Sequence, residues 1–590
     1  MALVAGGRPQ RNHLHSCSAR RKALRRPQLP SFPVQSLVRR WTFAAHNLVY
    51  SGELEAIVKN DPDNYLTTVP KRKLVLDGHN LKLEDLVDCS RDLCRIELSQ
   101  DATERIAKAR TFLEKVAAEH RTVYGITTGF GTFANVKISS QDIKQLQLNL
   151  IRSHATGYGR HLEPSKARML LALRINVFAK GHSGISLENV EKLVAAFNAF
   201  CVSFVPQQGT LGCSGDLAPL AHLALGMVGE GKMWSPSTGW DDAKVVLEKN
   251  GLQPLELGPK EGLALINGTQ MVTSIGAMAL IRAEHLAKQA DVIAALTLDV
   301  LKGTSRAYDA NIHNVRPHKG QIAVAQRLRA LSHSDWNRSE IAESHRNCGK
   351  VQDAYTLRCV PQVHGIAHDT IEFAKGILEV EINSATDNPL IFADDEEIIS
   401  GGNFHGEYPA KALDYLAIGV HELGQISERR LERLYCATSL VSENKVLCHP
   451  SSADSIPTSC NQEDHVSMGG FSARKALKVV EHTEAVLAME LLAACQGMEF
   501  LKPLKSTVPL QKVYDLVRSV SPALDEDRYM QPEIQEVIKL VRANRVWEVV
   551  APHVDEMSAL EAKEPDALRQ DAASPTGRNF GHQQGFERAL

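Results

Sequence analysis

Apolar residues follow two rhythms after about Glu53. "KRKLVLDGHNLKLEDLV" alternates around Asp77-Gly78, which predicts a short pair of strands. "TERIAKARTFLEKVAAEH", "QDIKQLQLNLIRSH" and "KARMLLALRINVFAKG" then carry apolar residues at helical spacing. "YGITTGFGTF" breaks that rhythm with glycine and threonine and reads as a loop. The second half is dominated by longer helical patterns. "AKALDYLAIGVHELGQISERRLERL" puts Leu413, Leu416, Val420, Leu423 and Ile426 on one stripe, and "SARKALKVVEHTEAVLAMELLAACQGMEFL" runs longer still. Segments of this length span roughly 40 Å, which predicts a long helical bundle rather than an open α/β sheet. The pattern divides the chain into a basic tail (1–52), an N-terminal region (53–300), a central long-helix bundle (301–510), a C-terminal helical region (511–563) and a polar tail (564–590).

Bulk properties narrow the class. A net charge of -2, with no basic stripe interleaved with aromatics, argues against nucleic acid as a partner. "MLLALRINVFA" is interrupted by Arg174 and "DVIAALTLDVL" by Asp299, so no membrane-spanning helix is expected. Eleven cysteines without a CxxC pair exclude the common zinc-ribbon and thioredoxin patterns. Cys89 and Cys94, the closest pair, read as ordinary thiols of a reducing, cytoplasmic compartment. Residues 1–52 hold arginines but no acidic residue, which leaves a mitochondrial transit peptide as the alternative, although Pro27, Pro30 and Pro33 interrupt any amphipathic helix there.

The chemistry concentrates in "GTLGCSGDLAPLAH", Gly209 to His222. Ser214 is no hydrolase nucleophile, because Asp216 takes the last position of the G-x-S-x-G elbow. A second reading is cyclisation. An uncrowded Gly215 nitrogen can attack the Cys213 carbonyl, and loss of water from the ring and from Ser214 leaves an electrophilic methylidene. A plain polar turn before a helix starting near Asp216 fits the local pattern equally well. "HGIAH" (His364 to His368) lacks the glutamate of HExxH, and no phosphate- or dinucleotide-binding glycine motif occurs, so no metal or soluble cofactor is expected. Tyr124 sits in the glycine-flanked loop. Gln352, Tyr355 and Arg358 recur every three residues and share a face on a helix or 3₁₀ turn. Taken alone, an arginine there is a solvated surface residue, Asn267 before Gly268 a turn residue, Phe404 a core aromatic, His154 a core histidine and Glu463 a surface carboxylate.

"GxxGxSGDLAPLxH" resembles the prosthetic-group segment of the aromatic amino acid ammonia-lyases. The resemblance runs from about residue 70 to 555 through "YGITTGFG", "INGTQ", "VQDAYTLRC", "NSATDNP", "SGGNFHGEYPAKALDYLA" and "NQEDHVSMGG". Within that family it points to the histidine-selective members of animal type. It implies a mainly α, fumarase-like antiparallel bundle with a mixed N-terminal region. It also implies a methylidene-imidazolone (MIO) formed from Cys213, Ser214 and Gly215, and a homotetramer whose sites draw on more than one chain. The implied roles are Tyr124 as the base for the substrate β-proton and Arg358 as the fork for its carboxylate. Gln352 and Tyr355 line the pocket, Asn267 stands beside the prosthetic group and Phe404 packs against it. His154 and Glu463 select L-histidine, since a phenyl ring would leave the carboxylate unpaired. The implied reaction is L-histidine to trans-urocanate and ammonia. Electron uptake from the amine or from the imidazole both remain open.

Three departures stand out. Cys213 replaces the family's alanine, and Ala221 a serine. Between "RRLERL" and "LVSENK", only Tyr435 to Ser439 stands where the family carries several more helical turns. Such a deletion is expected to uncover buried faces and shift helix register. Two further readings follow: a phenylalanine or tyrosine ammonia-lyase, against which His154 and Glu463 speak, and a non-catalytic family member.

Overall fold

The computed structural model describes residues 72–568 except 92–93, 120–121, 130–137, 140–141, 347–350, 432–434 and 565–567. The basic segment 1–52 lies outside the described residues, as does the polar tail apart from Glu564 and Leu568.

Strand β1 (Arg72–Leu76) forms where the alternation predicts it, but its expected partner is a helix, α1 (Leu83–Asp88). Asp77 Oδ1 accepts from the amides of His79 at 2.8 Å and Asn80 at 2.9 Å and closes a turn. Leu83 and Leu86 then bury one helical face, while Glu84 and Asp85 favour the helix N-terminus. β1 pairs instead, in parallel, with β2 (Cys94–Leu98). Helices α2 (Gln100–Ala118), α3 (Ile143–His154) and α4 (Pro164–Ala179) follow as the spacing predicts. Ser99 caps α2 by accepting from Ala102 N. Almost every side of α4 is buried, Arg174 included. α5 (Leu217–Met227) starts after Asp216, as expected.

The second half is the long bundle. α6 (Gln270–Val300) packs against α7 (Lys319–Leu331), and the short α8 (Tyr355–Arg358) leads into α9 (Val360–Glu381). α10 (Glu407–Leu431), α11 (Tyr435–Leu447) and α12 (Gly469–Glu499) complete it. α6 and α12 have 31 residues each, about 45 Å at 1.5 Å per residue. α12 lies against both α6 and α10, and α10 against α9. The predicted stripe of Leu413, Leu416, Val420, Leu423 and Ile426 is buried at these contacts. One hydrophobic core runs from Leu76 to Leu568. Buried ion pairs cross it: Arg282 forks onto Glu484 at 2.8 and 2.7 Å, and Lys475 meets Asp414 at 2.6 Å. The cost of desolvating such buried charges offsets much of their attraction, so they add little net stability. His364 and His368 converge on the buried Asp291, which also pairs with Arg327 at 2.7 Å.

One correction concerns apolar length. Glu261–Val300 contains an 18-residue window long and apolar enough by composition to cross a membrane, yet 94% of that window is buried inside the protein. Its apolar surface is bundle core. At the shortened junction, Ala437 and Val441 of α11 pack on Val486 and Met489 of α12. Thr438 donates to Glu428 of α10 at 2.7 Å. The end of α10 is therefore covered, although Tyr435 stays exposed.

Candidate active site

The tripeptide Cys213-Ser214-Gly215 is held from four directions. Gly212 and Gly215 adopt left-handed φ of +71° and +77°. A Cβ on Gly215 would collide with the Gly268 backbone, and one on Gly212 with Ser467 Oγ, so side chains are excluded at both. Asp216 N donates to Gly268 O, and Asn267 Nδ2 to Ser214 O, each at 2.6 Å. On the other flank, Gly212 O accepts from Gly406 N at 3.0 Å and Ser467 Oγ at 3.1 Å. The Gly406 bond brings the turn bearing Phe404 to the same loop.

Asp216 does more than precede α5. Its buried carboxylate reaches the start of α6, where Oδ2 accepts from Met271 N at 2.8 Å and Val272 N at 3.0 Å, while Oδ1 takes Thr210 Oγ1 at 2.9 Å. It therefore caps a helix more than fifty residues away and ties the tripeptide loop to it. Burial pushes its pKa up to about 6, against the pull of these donors. Beneath the same corner, buried Arg174 donates to Asn267 O at 2.8 Å and Gln270 Oε1 at 2.6 Å, which orients Asn267.

Glu463 closes the cluster. Its Oε1 accepts from Ser214 Oγ, and its Oε2 from Cys213 Sγ at 3.3 Å and from Thr458 Oγ1. Burial alone would raise its pKa; hydrogen bonds from Ser214, Thr458, Cys213 and Ser459 outweigh this and hold it below the usual carboxylate value. Burial, with the Glu463 charge beside it, pushes the Cys213 thiol up to about 11. The thiol is thus a protonated donor at neutral pH. Cys213, Ser214, Gly215, Asn267 and Glu463 converge in one place.

The remaining candidates sit on other elements. Tyr124 occupies a turn in which Gly125 N donates to Thr128 Oγ1 at 3.2 Å, and residues 130–137 of its loop lie outside the described residues. His154 ends α3, with Nδ1 2.9 Å from Leu150 O and 3.0 Å from Ser153 Oγ. Tyr355 and Arg358 share α8, and the Arg358 guanidinium lies 4.7 Å from the Tyr355 ring centroid. Gln352 precedes that helix in irregular chain, so the expected common face holds only for the other two. Among the described residues, none of these three bonds to the tripeptide cluster. Arg358 Nε is buried without a hydrogen-bond partner among the described residues. The turn that carries it is anchored from behind. Tyr308 OH donates to Leu357 O at 2.7 Å, and Arg430 Nη1 donates to Thr356 O at 3.3 Å while forking onto Glu490 at 2.5 and 2.8 Å. The sequence reading missed Asp216 as a clamp, Thr458, Tyr308 and Arg430. For Asp216 the signal was a carboxylate directly after the reactive glycine; the others carry no local signal.

Comparison with known proteins places this geometry. The family profile "Aromatic amino acid lyase" matches residues 81–438 and 434–519, and its two stretches meet at the shortened α10–α11 junction. A histidine ammonia-lyase of Caenorhabditis elegans is 69% identical over 534 residues, covering 86% of this chain and 79% of its own. The human histidine ammonia-lyase is 58% identical, covering 82% and 78%. The worm alignment is longer than 86% of 590 residues, so about 27 positions of that relative have no counterpart here. The crystal structure of histidine ammonia-lyase from Trypanosoma cruzi superimposes with a TM-score of 0.76 at 50% identity, over 83% of this chain and 97% of that one. A tyrosine aminomutase from Streptomyces globisporus gives 0.77 at 32% identity, over 82% and 99%. With the profile spanning most of its length and these relatives at such identity, the chain belongs to the aromatic amino acid lyase family.

Proposed function

We propose that this chain is a carbon–nitrogen lyase that converts L-histidine to trans-urocanate and ammonia. The observation that carries the reading is the ionised Glu463 set directly against Cys213-Ser214-Gly215. A carboxylate there recognises an imidazole N–H and would lie unpaired against a phenyl ring, which disfavours phenylalanine and tyrosine.

The tripeptide fits MIO formation. Gly215 has the left-handed backbone and bare Cα that let its nitrogen approach Cys213 C, and Asn267 Nδ2 polarises Ser214 O. Closing the C–N bond expels one water, and Ser214 loses a second. Once formed, the group supplies an electrophilic carbon that draws electron density from the substrate. The chain's own residues do the rest in this proposal. Glu463 accepts the imidazole N–H, and Arg358, whose Nε has no hydrogen-bond partner among the described residues, receives the substrate carboxylate as a planar fork. Tyr124 takes the β-proton, the amine departs as ammonia, and His154 lines the imidazole end.

The same reading includes a homotetramer with shared sites. Tyr355 is 71% exposed in the single chain although it is assigned to the pocket. Ile366, Phe373 and Val380 form an exposed stripe at seven-residue spacing on α9, and Tyr408 and Tyr415 continue it on α10. These faces favour burial against another copy. Intact mass of the peptide spanning 209–222 tests the proposal. Loss of two waters, with urocanate formed from L-histidine, is the expected result. An unmodified tripeptide in folded protein overturns it and leaves the non-catalytic reading.

A further inference from the structure

We infer that Thr458 is the positioning residue that fixes the substrate-recognising carboxylate of Glu463. The inference rests on the proposed role of Glu463 and extends it to a residue outside the tripeptide.

Thr458 and Glu463 face each other across an isolated antiparallel bridge, with Thr458 N donating to Glu463 O at 3.0 Å. The Thr458 hydroxyl donates to Glu463 Oε2, so backbone and side chain grip the same residue. Between them Ser459, Cys460 and Asn461 take left-handed φ of +50°, +54° and +65°. Three consecutive non-glycine residues in that region persist only where the surrounding structure pins both ends. The strained turn is therefore part of the device: it presents Glu463 at one height above the tripeptide.

The two carboxylate oxygens are differently employed. Oε1 is engaged by the Ser214 hydroxyl, and Oε2 by Thr458 and Cys213. When Ser214 gives up its Cα hydrogen and its hydroxyl as water, a Cα=Cβ double bond forms and the donor on Oε1 disappears. That oxygen loses its Ser214 partner and can accept an imidazole N–H, while Ser459 remains a further donor to the carboxylate. Thr458 and Cys213 still hold Oε2, with the hydroxyl the stronger donor of the two. The Cys213 thiol stays protonated through neutral pH, so it supports the grip and does not repel it. A chain that keeps its serine hydroxyl occupies its own recognition oxygen.

Ser214→Ala reproduces the vacated oxygen without turnover, so binding can be measured by calorimetry on the full chain. In this background L-histidine is expected to bind. Adding Thr458→Val, which keeps the shape and removes the hydroxyl, should weaken L-histidine about tenfold, in line with losing a hydrogen bond to a charged group. Thr458→Ser should restore affinity to within about twofold of the background, and L-phenylalanine affinity should not follow either change. Unchanged L-histidine affinity in the valine variant overturns the inference, as does equal weakening for both amino acids, which would mark a merely structural role. A background that binds L-phenylalanine but not L-histidine fails differently: it removes the histidine reading, and the role of Thr458 falls with it.

Discussion

Asp216→Ala should separate a folded scaffold from a processed one. The carboxylate accepts three hydrogen bonds, from Met271 N, Val272 N and Thr210 Oγ1, in a site without solvent. Truncation leaves the Met271 and Val272 amides, in the first turn of α6, unpaired. At about 1–3 kcal/mol for each of these two buried donors left without a partner, the loss is roughly 2–6 kcal/mol. That is a large fraction of ordinary stability, and it falls on the segment that holds the reactive loop. The Asp216 N to Gly268 O bond depends on this corner staying closed, and with it the turn at Gly215. The expected outcome is a lowered thermal midpoint together with peptide 209–222 retaining most of its two waters. Full dehydration in the alanine variant would refute the view that this carboxylate organises ring closure.

Asp216→Asn gives the complementary arm. The native carboxyl titrates near 6 and a free one near 3.8, so the folded chain binds the extra proton between these values. Its contribution is fully present below about pH 4 and lost as pH rises through 6, a change of about 3 kcal/mol. Asparagine keeps one oxygen for the α6 amides and can donate its amide hydrogens to Thr210. The variant should therefore match or exceed the parent midpoint at pH 7, and its midpoint should vary less between pH 4.5 and 7. An equally steep pH dependence would assign the titration elsewhere.

Gly215→Ala should abolish dehydration of the tripeptide, since the added Cβ strikes the Gly268 backbone at positive φ; the same peptide mass measures it. Glu463→Gln should lower kcat/KM for L-histidine by about tenfold or more while changing L-phenylalanine far less, which a two-substrate assay reads directly. Tyr308→Phe removes the hydroxyl that fixes Leu357 O behind Arg358; it should raise KM more than it lowers kcat, whereas a proportionate fall in kcat would place Tyr308 in the chemistry.

The long helices were legible because their evidence is periodic and local. The stripe Leu413 to Ile426 needs no knowledge of its partner to be recognised, and it is buried where the spacing put it. The segment after Asp77 was misread for the same reason. Leu81, Leu83 and Leu86 satisfy an alternating and a helical pattern over so few residues, and the decision came from the Asp77 turn and from β2, which offered β1 a parallel partner. Around the tripeptide, the reactive residues were visible as motifs, but their supports were not. Asp216 serves a helix start more than fifty residues on, and Tyr308 reaches a carbonyl 49 residues away.

Those long-range supports also bear on the shortened junction. α10 ends at Leu431, one residue beyond Arg430, whose guanidinium braces Thr356 O in the turn before Arg358. A loss of helix there could have cost the carboxylate fork its backing. Instead Arg430 keeps both bonds to Glu490 on α12, and Thr297 of α6 donates to the same carboxylate at 2.7 Å. α12 is also the helix against which Ala437 and Val441 close the gap. The brace therefore depends on α6 and α12, which the deletion leaves whole, and only the outer cover depends on the residues after it. The shortened junction thus leaves Tyr435 exposed, while the turn that presents Arg358 retains its support.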